Sequence, residues 1–122
     1  MVMLDDYRKG WALRYVREAR DELRTCQRAS QSLSLIVDAA RKAQAAMYFS
    51  LGDPSSIENV VNEVSDGAGM VKSPVLRCLV EIERALQRME RLPVSASEEA
   101  LEEADEIISI ASGIVDLVTS ED

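Results

Sequence analysis

The chain has 122 residues, of which 47% are apolar and only 4% aromatic, and it carries a formal net charge of −8. That length supports one hydrophobic core and excludes two, and the apolar fraction excludes a disordered acidic tail. Histidine is absent, which removes Ser-His-Asp and Cys-His nucleophiles, His-containing zinc sites and the Glu-x-x-His arrangement of di-iron bundles.

The scarcity of aromatics beside abundant Ala, Leu, Val and Ile favours helices packed on helices over an aromatic-rich β-sandwich. Helix one is expected from about Asp5 to Arg28, with Ala12, Val16, Ala19, Leu23 and Cys26 recurring at spacings of four and three as a buried stripe. Trp11 and Tyr15 flank its start. Arg17, Arg20, Arg24 and Arg28 fall within about 80° of one another at about 100° per residue. They form either a solvated face or a contact for a polyanion.

The polar stretch RASQSLS, residues 28–34, interrupts the pattern, and helix two follows from about Leu33 to Leu51. Leu33, Ile36, Ala40, Ala43, Met47 and Leu51 share its inner face, broadened by Ala39, Ala45 and Ala46. The segment DAARKAQAAMYFSLGDP, residues 38–54, poses a choice between a site built on Arg41, Lys42 and Tyr48 and a seam of small residues. The second fits better: Arg41 and Lys42 mark the polar face, Lys42 has Asp38 four residues away, and Tyr48 is a half-buried ring with ligand contact as the alternative. Gly52 is expected to end the helix in a left-handed conformation, with Pro54 beyond it.

Ser55 with Glu58 fits a capping box for a short helix, IENVVNEV. Residues 65–69 form a loop, and Ser73-Pro74 supplies the next N-cap and first helical position. Val75, Leu79, Ile82, Leu86 and Met89 then run as one stripe to Leu92, where Pro93 stops it. Ser95 with Glu98 offers a further capping box, and Leu101, Ala104, Ile108, Ala111, Val115 and Val118 complete the final stripe. No segment alternates with period two. The expected fold is all-α, an antiparallel up-and-down bundle of four main helices plus one short helix, in a single domain spanning residues 1–122.

Charge is unevenly spread: residues 1–50 carry nine Arg/Lys against six Asp/Glu, residues 51–94 five against seven, and residues 95–122 none against nine. Duplex DNA is a poor general ligand for such a molecule, which leaves room only for a local basic face. Cys26 and Cys78 lie far apart on apolar faces and fit reduced core thiols. No apolar run approaches the roughly 18 residues of a membrane span, and the opening MVMLDDYRKGW lacks a hydrophobic signal core. A soluble, cytoplasmic protein without a membrane partner is expected.

The acidic cluster SEEALEEADE, residues 97–106, is the candidate for a metal. Glu98, Glu102 and Asp105 would serve an all-α, magnesium-dependent nucleotide pyrophosphohydrolase, but hard cations need a second set of inward carboxylates. Glu81, Glu83 and Glu90 do not repeat the spacing, and the cluster projects away from the Leu101/Ala104/Ile108 stripe. A solvated helix face is the better fit, with no metal or cofactor.

Read together, RYVREARDELRTCQRA, DAARKAQAAMYFSLGDP and RMERLPVSASEEALEEADEIISIASGIVDLV resemble the HEPN family, helical domains named for nucleotide binding in higher eukaryotes and prokaryotes. The likeness lies in the leucine and small-residue seam of the opening helix, in the alanine-rich second helix ending on Leu-Gly, and in an arginine-containing connection leading to a last helix that opens on acids and alanines. It covers most of the chain.

The resemblance implies a homodimer, often encoded beside a minimal nucleotidyltransferase in a toxin–antitoxin pair. Active members are metal-independent ribonucleases carrying Arg, four to six residues, then His. Arg84, Arg88 and Arg91 stand in the corresponding region, and no histidine follows them. What the resemblance then implies is a non-catalytic module that binds a nucleotidyltransferase partner, a nucleotide or RNA. The candidate ligand or partner face is Arg17, Arg20, Arg24, Arg28, Arg41, Tyr48, Arg88 and Arg91. A plain helical scaffold for an unrelated protein is the alternative.

Overall fold

The computed structural model describes residues 6–28, 33–67 and 73–120. They form α1 (Asp6–Arg28), α2 (Leu33–Leu51), α3 (Pro54–Asp66), α4 (Pro74–Glu90), a 3₁₀ turn (Val94–Ala96) and α5 (Ser97–Thr119), with no strand among them. The all-α bundle expected from the sequence is the observed architecture. Trp11 meets Phe49 at the same end of the molecule while Lys42 meets Glu18, so α1 and α2 run antiparallel. Arg41 reaches Glu90 while Gln44 reaches Glu83, and Arg88 meets Glu103 while Cys78 lines a groove with Ile110, which sets α4 antiparallel to α2 and to α5.

The core follows the apolar stripes. Ala12, Val16, Ala19, Leu23 and Cys26 are all buried on α1. Ala39, Ala40, Ala43 and Ala46 are fully buried on α2, where α1 and α5 make its two largest interfaces. Ile36, Met47, Leu86, Met89 and Ile108 fill the centre, and Ala104, Ala111 and Val115 carry the α5 stripe. Val75, placed on the inner stripe by its spacing, is instead 52% exposed. It stands one residue past the helix-opening Pro74, in the first turn of α4.

The helix ends depart from expectation in several places. First, α3 begins at Pro54, earlier than a Ser55 cap allows: Asp53 is the N-cap, its carboxylate accepting from the Ser56 N–H at 3.2 Å and the Ser56 hydroxyl at 2.8 Å. A carboxylate one residue ahead of proline caps the helix and complements its positive end. Second, Gly52 is not left-handed, since no described glycine has a positive φ. Its value is proximity: a Cβ there would lie 3.2 Å from Ile57 Cδ1, on the first turn of α3. Third, no side chain caps α5. The 3₁₀ turn feeds straight into it, with Ala96 at the cap position and Ser95 inside the turn.

By contrast Ser73 caps α4 as expected, its hydroxyl accepting from the Leu76 N–H at 3.3 Å ahead of Pro74. That helix stops at Glu90, with Arg91 as C-cap, two residues before the Leu92 limit set by the apolar stripe. Residues 29–32 of the α1–α2 connection and residues 68–72 of the loop before Ser73 lie outside the described residues. Asp53→Ala is expected to destabilise the protein by about 1 kcal/mol, whereas Ser55→Ala and Ser95→Ala change stability by a few tenths at most. Urea unfolding of the three variants checks this assignment of the cap.

Candidate functional site

A charged network lies between α2 and α4. Arg41, Gln44 and Tyr48 occupy successive turns of α2, and Glu83, Gln87 and Glu90 do the same on α4. Arg41 Nη1 donates to Glu83 Oε1 at 2.7 Å and to Gln44 Oε1 at 2.9 Å, and its Nη2 donates to Glu90 Oε2 at 3.3 Å. Gln44 Nε2 donates to Glu83 Oε1 at 2.7 Å and to Tyr48 Oη at 3.0 Å. Gln87 Nε2 donates to Glu83 Oε2 at 2.9 Å.

Burial raises the Glu83 pKa, but the hydrogen bonds from Arg41, Gln44 and Gln87 outweigh it and leave the carboxyl below its ordinary range. Burial works against the Arg41 charge too, and its bond to Glu83 holds the guanidinium protonated. The Tyr48 phenol is pushed well above its usual range, first by burial and then by the neighbouring Glu83 charge. Glu83 is thus an anion whose acceptors are taken, and Tyr48 is a neutral phenol only 6% exposed. The arrangement fixes α4 against α2 and leaves no base or nucleophile poised for chemistry.

The outer surface of α1 is different in kind. The chain has one Trp, three Tyr and one Phe, and every one of them except Tyr48 belongs to a single cluster. Trp11 lies 6.3 Å from Tyr7, 5.4 Å from Tyr15 and 6.3 Å from Phe49 between ring centroids, and Tyr15 lies 5.7 Å from Phe49. Beneath the rings Ala12, Val16, Ala46 and Val115 form a small buried cluster. The cluster is open to solvent at Tyr7, which is 69% exposed. Arg14 lies over the Trp11 ring, 5.1 Å from its centroid, while its Nε donates to Glu18 at 2.8 Å.

Lys42 does not take the local partner Asp38. It bridges helices, donating to Glu18 Oε1 at 3.1 Å and neutralising the buried Glu22 Oε2. Bonds from Arg14 and then Lys42 hold the Glu18 carboxyl below its ordinary range, and the bonds to Glu22 and Glu18 raise Lys42. One turn of geometry explains the choice, because α1 presents both glutamates across the seam while Asp38 faces solvent.

The residues expected to form one ligand face divide among three places. Arg17 and Arg24 are exposed on α1, Arg24 reaching Asp21 at 3.4 Å, and Arg20 is half-buried. Arg28 closes α1, and its side chain lies outside the described residues. Arg41 and Tyr48 belong to the interior network. Arg88 and Arg91 are exposed at the end of α4, Arg88 lying 3.9 Å from Glu103.

Glu98, Glu102 and Asp105 border a shallow depression of about 400 Å³ with Gln27 and Leu101, on the outside of the α1–α5 seam. Among the described residues no group of acids, cysteines or histidines is arranged to hold a metal ion. No described helix is long and apolar enough to cross a membrane. Cys26 and Cys78 are free thiols, both pushed up by burial and then by the neighbouring Glu22 and Glu81. Compared with protein-family models, curated proteins and solved structures, the chain matches none.

Two features were missed at the level of sequence. Glu83 and Gln44 belong to the inner stripes by spacing, Glu83 lying four residues after Leu79 and Gln44 four after Ala40. A polar residue in register with a core stripe on each of two helices is the signal that a buried pair leaves. The aromatic cluster unites Tyr7, Trp11 and Tyr15, spaced four apart, with Phe49, which only the α1–α2 packing brings to them.

Proposed function

We propose that the protein is a non-catalytic, HEPN-like helical binding module that works as a homodimer and takes RNA or a nucleotide, or a minimal nucleotidyltransferase partner, on the N-terminal half of α1. The observation that carries this reading is the gathering of Tyr7, Trp11, Tyr15 and Phe49 at one end of the bundle, with Arg14 on the Trp11 face and Arg17 exposed one turn on. Aromatic faces with guanidinium groups beside them stack unpaired bases and contact phosphates, and the same side chains anchor protein interfaces. The interior network supports a binding role over a catalytic one, because its acceptors are already taken.

Trp11 is the only tryptophan, so its emission reports on this surface alone. Titration with a single-stranded RNA oligonucleotide is expected to quench it saturably, with Tyr7→Ala and Arg17→Glu each weakening binding by about fivefold or more. The native protein recovered from its own host should carry RNA or a nucleotidyltransferase. Unchanged emission, together with a recovered protein that holds neither, overturns the reading.

A further inference from the structure

The outward faces of α4 and α5 carry opposite charge. On α4, Arg77, Arg84, Arg88 and Arg91 are exposed along one stripe at helical spacing, interrupted only by Glu81. On α5, Glu99, Glu102 and Glu106 are exposed along another, with the half-buried Glu103 at its edge. Among the described residues Arg84, Arg91, Glu99, Glu102 and Glu106 make no ion pair, and Arg88 comes no nearer than 3.9 Å to Glu103. Helical phase explains this, because both stripes point away from the core, side by side rather than at each other.

Beyond Glu106 the charge on α5 stops. Residues 107–115, IISIASGIV, contain no charged side chain. Ile110, 37% exposed, and Leu117, 66% exposed, continue the outward stripe of Glu106. The two-helix face is therefore basic along α4, acidic along the first half of α5 and aliphatic along the second. The helices run antiparallel, and the approach of Arg88 to Glu103 fixes their relative height. Counting three and four residues in opposite directions from that point puts Arg84 level with Glu106 and Arg91 level with Glu99.

We propose that this face joins two copies of the chain about a two-fold axis parallel to α4 and α5, so that α4 of each copy lies on α5 of the other. Charge selects both the occupant and the axis. Such an axis keeps every residue at its own height, so Arg84, Arg88 and Arg91 of one copy meet Glu106, Glu102 and Glu99 of the second, and the same set repeats by symmetry. A two-fold axis across the helices would set α4 on α4 and arginine on arginine, and like charges across an interface are costly. Glu81, the one acid in the basic stripe, comes level with the uncharged stretch around Ser109 rather than with another acid. Exposed ion pairs contribute little singly, but a row in register fixes orientation, while covering Ile110 supplies apolar burial. With 17 residues in α4, a face about 25 Å long and two helices wide buries on the order of 1,000 Å² over both copies, the lower bound of a specific contact. The proposal rests on the homodimer part of the reading above and supplies its surface, leaving the α1 aromatic cluster free for a ligand.

The test is sedimentation equilibrium of the full chain. A dimer at micromolar concentration is expected, weakening as salt is raised. Arg84→Glu with Arg88→Glu should weaken association about tenfold or more, as should Glu102→Lys with Glu106→Lys, and Ile110→Ser severalfold. Mixing the two charge-reversed proteins should restore a dimer with one copy of each, because reversed α4 then lies on reversed α5 and native α4 on native α5. That recovery also keeps a folding defect from passing as a loss of association. Glu98→Lys with Asp105→Lys, on the α1 side of α5, should leave the dimer unchanged. A dimer indifferent to both reversals, or weakened as much by the Glu98/Asp105 pair, overturns this face while the homodimer reading stands. Reversed proteins that remain monomers when mixed overturn the pairing of α4 with α5. A chain that is monomeric throughout the micromolar range overturns the proposal and the homodimer reading together, and the Trp11 titration then still decides the ligand surface on its own.

Discussion

Glu83→Ala is expected to destabilise the folded protein by about 3 kcal/mol. The carboxylate is nearly buried, with its side chain 9% exposed, and receives Arg41, Gln44 and Gln87. Removing it leaves a partly buried guanidinium with the exposed Glu90 as its only carboxylate and the Gln44 oxygen beside it, and frees one N–H each of Gln44 and Gln87. The penalty is that of uncompensated groups, not the net worth of the pair, so Arg41→Leu with Glu83→Leu should recover most of the loss. Denaturant unfolding of the two single variants and the double variant measures the coupling. A loss below about 1 kcal/mol would place the pair with ordinary surface salt bridges.

The same network gives stability a pH dependence of known sign. The Glu83 pKa lies below its ordinary 4.5, so its contribution is complete above that value and is lost as pH falls through the lowered folded-state pKa. The Arg41→Leu/Glu83→Leu protein should lack this part of the acid sensitivity. Lys42 acts in the opposite direction. Its pKa is raised above the ordinary 10.5, so its contribution is present below that value and fades as pH rises through the raised one.

Ala43→Leu is expected to cost about 2–3 kcal/mol by overpacking. Ala39, Ala40, Ala43 and Ala46 are fully buried, and side chains of this size let the α2 backbone approach its neighbours closely. Three added carbons at the centre of that seam must move a helix or adopt poor rotamers. Ala45→Leu, half-buried on the edge of the same run, should cost only a fraction of that. Thermal melts of the two variants compare them directly, and equal melting temperatures would show that the seam has room to spare.

Periodicity carried the all-α class and most of the inner stripes, because a helix has one repeat and apolar burial follows it. Ala12, Val16, Ala19, Leu23 and Cys26 needed nothing more. Helix ends were harder, since Asp53 and Ser55 are both good caps and the choice depends on which carboxylate or hydroxyl reaches a free N–H. Arg41, Lys42 and Tyr48 could not be placed from their own helix. Their positions are set by Glu83, Glu18 and Glu22, which lie on other elements and well away in sequence. The aromatic cluster was half visible, in the spacing of Tyr7, Trp11 and Tyr15, and Phe49 joined it only through packing.

The central helix α2 lies against both α1 and α5, and that has a consequence for synthesis. A nascent chain that has emerged only as far as α4 still lacks the helix that covers the other side of α2. The side of α2 that packs on α5 stays uncovered until residues 97–119 leave the ribosome. Completion of the core is therefore a late event, and the interval before it is when chaperones have access to this chain.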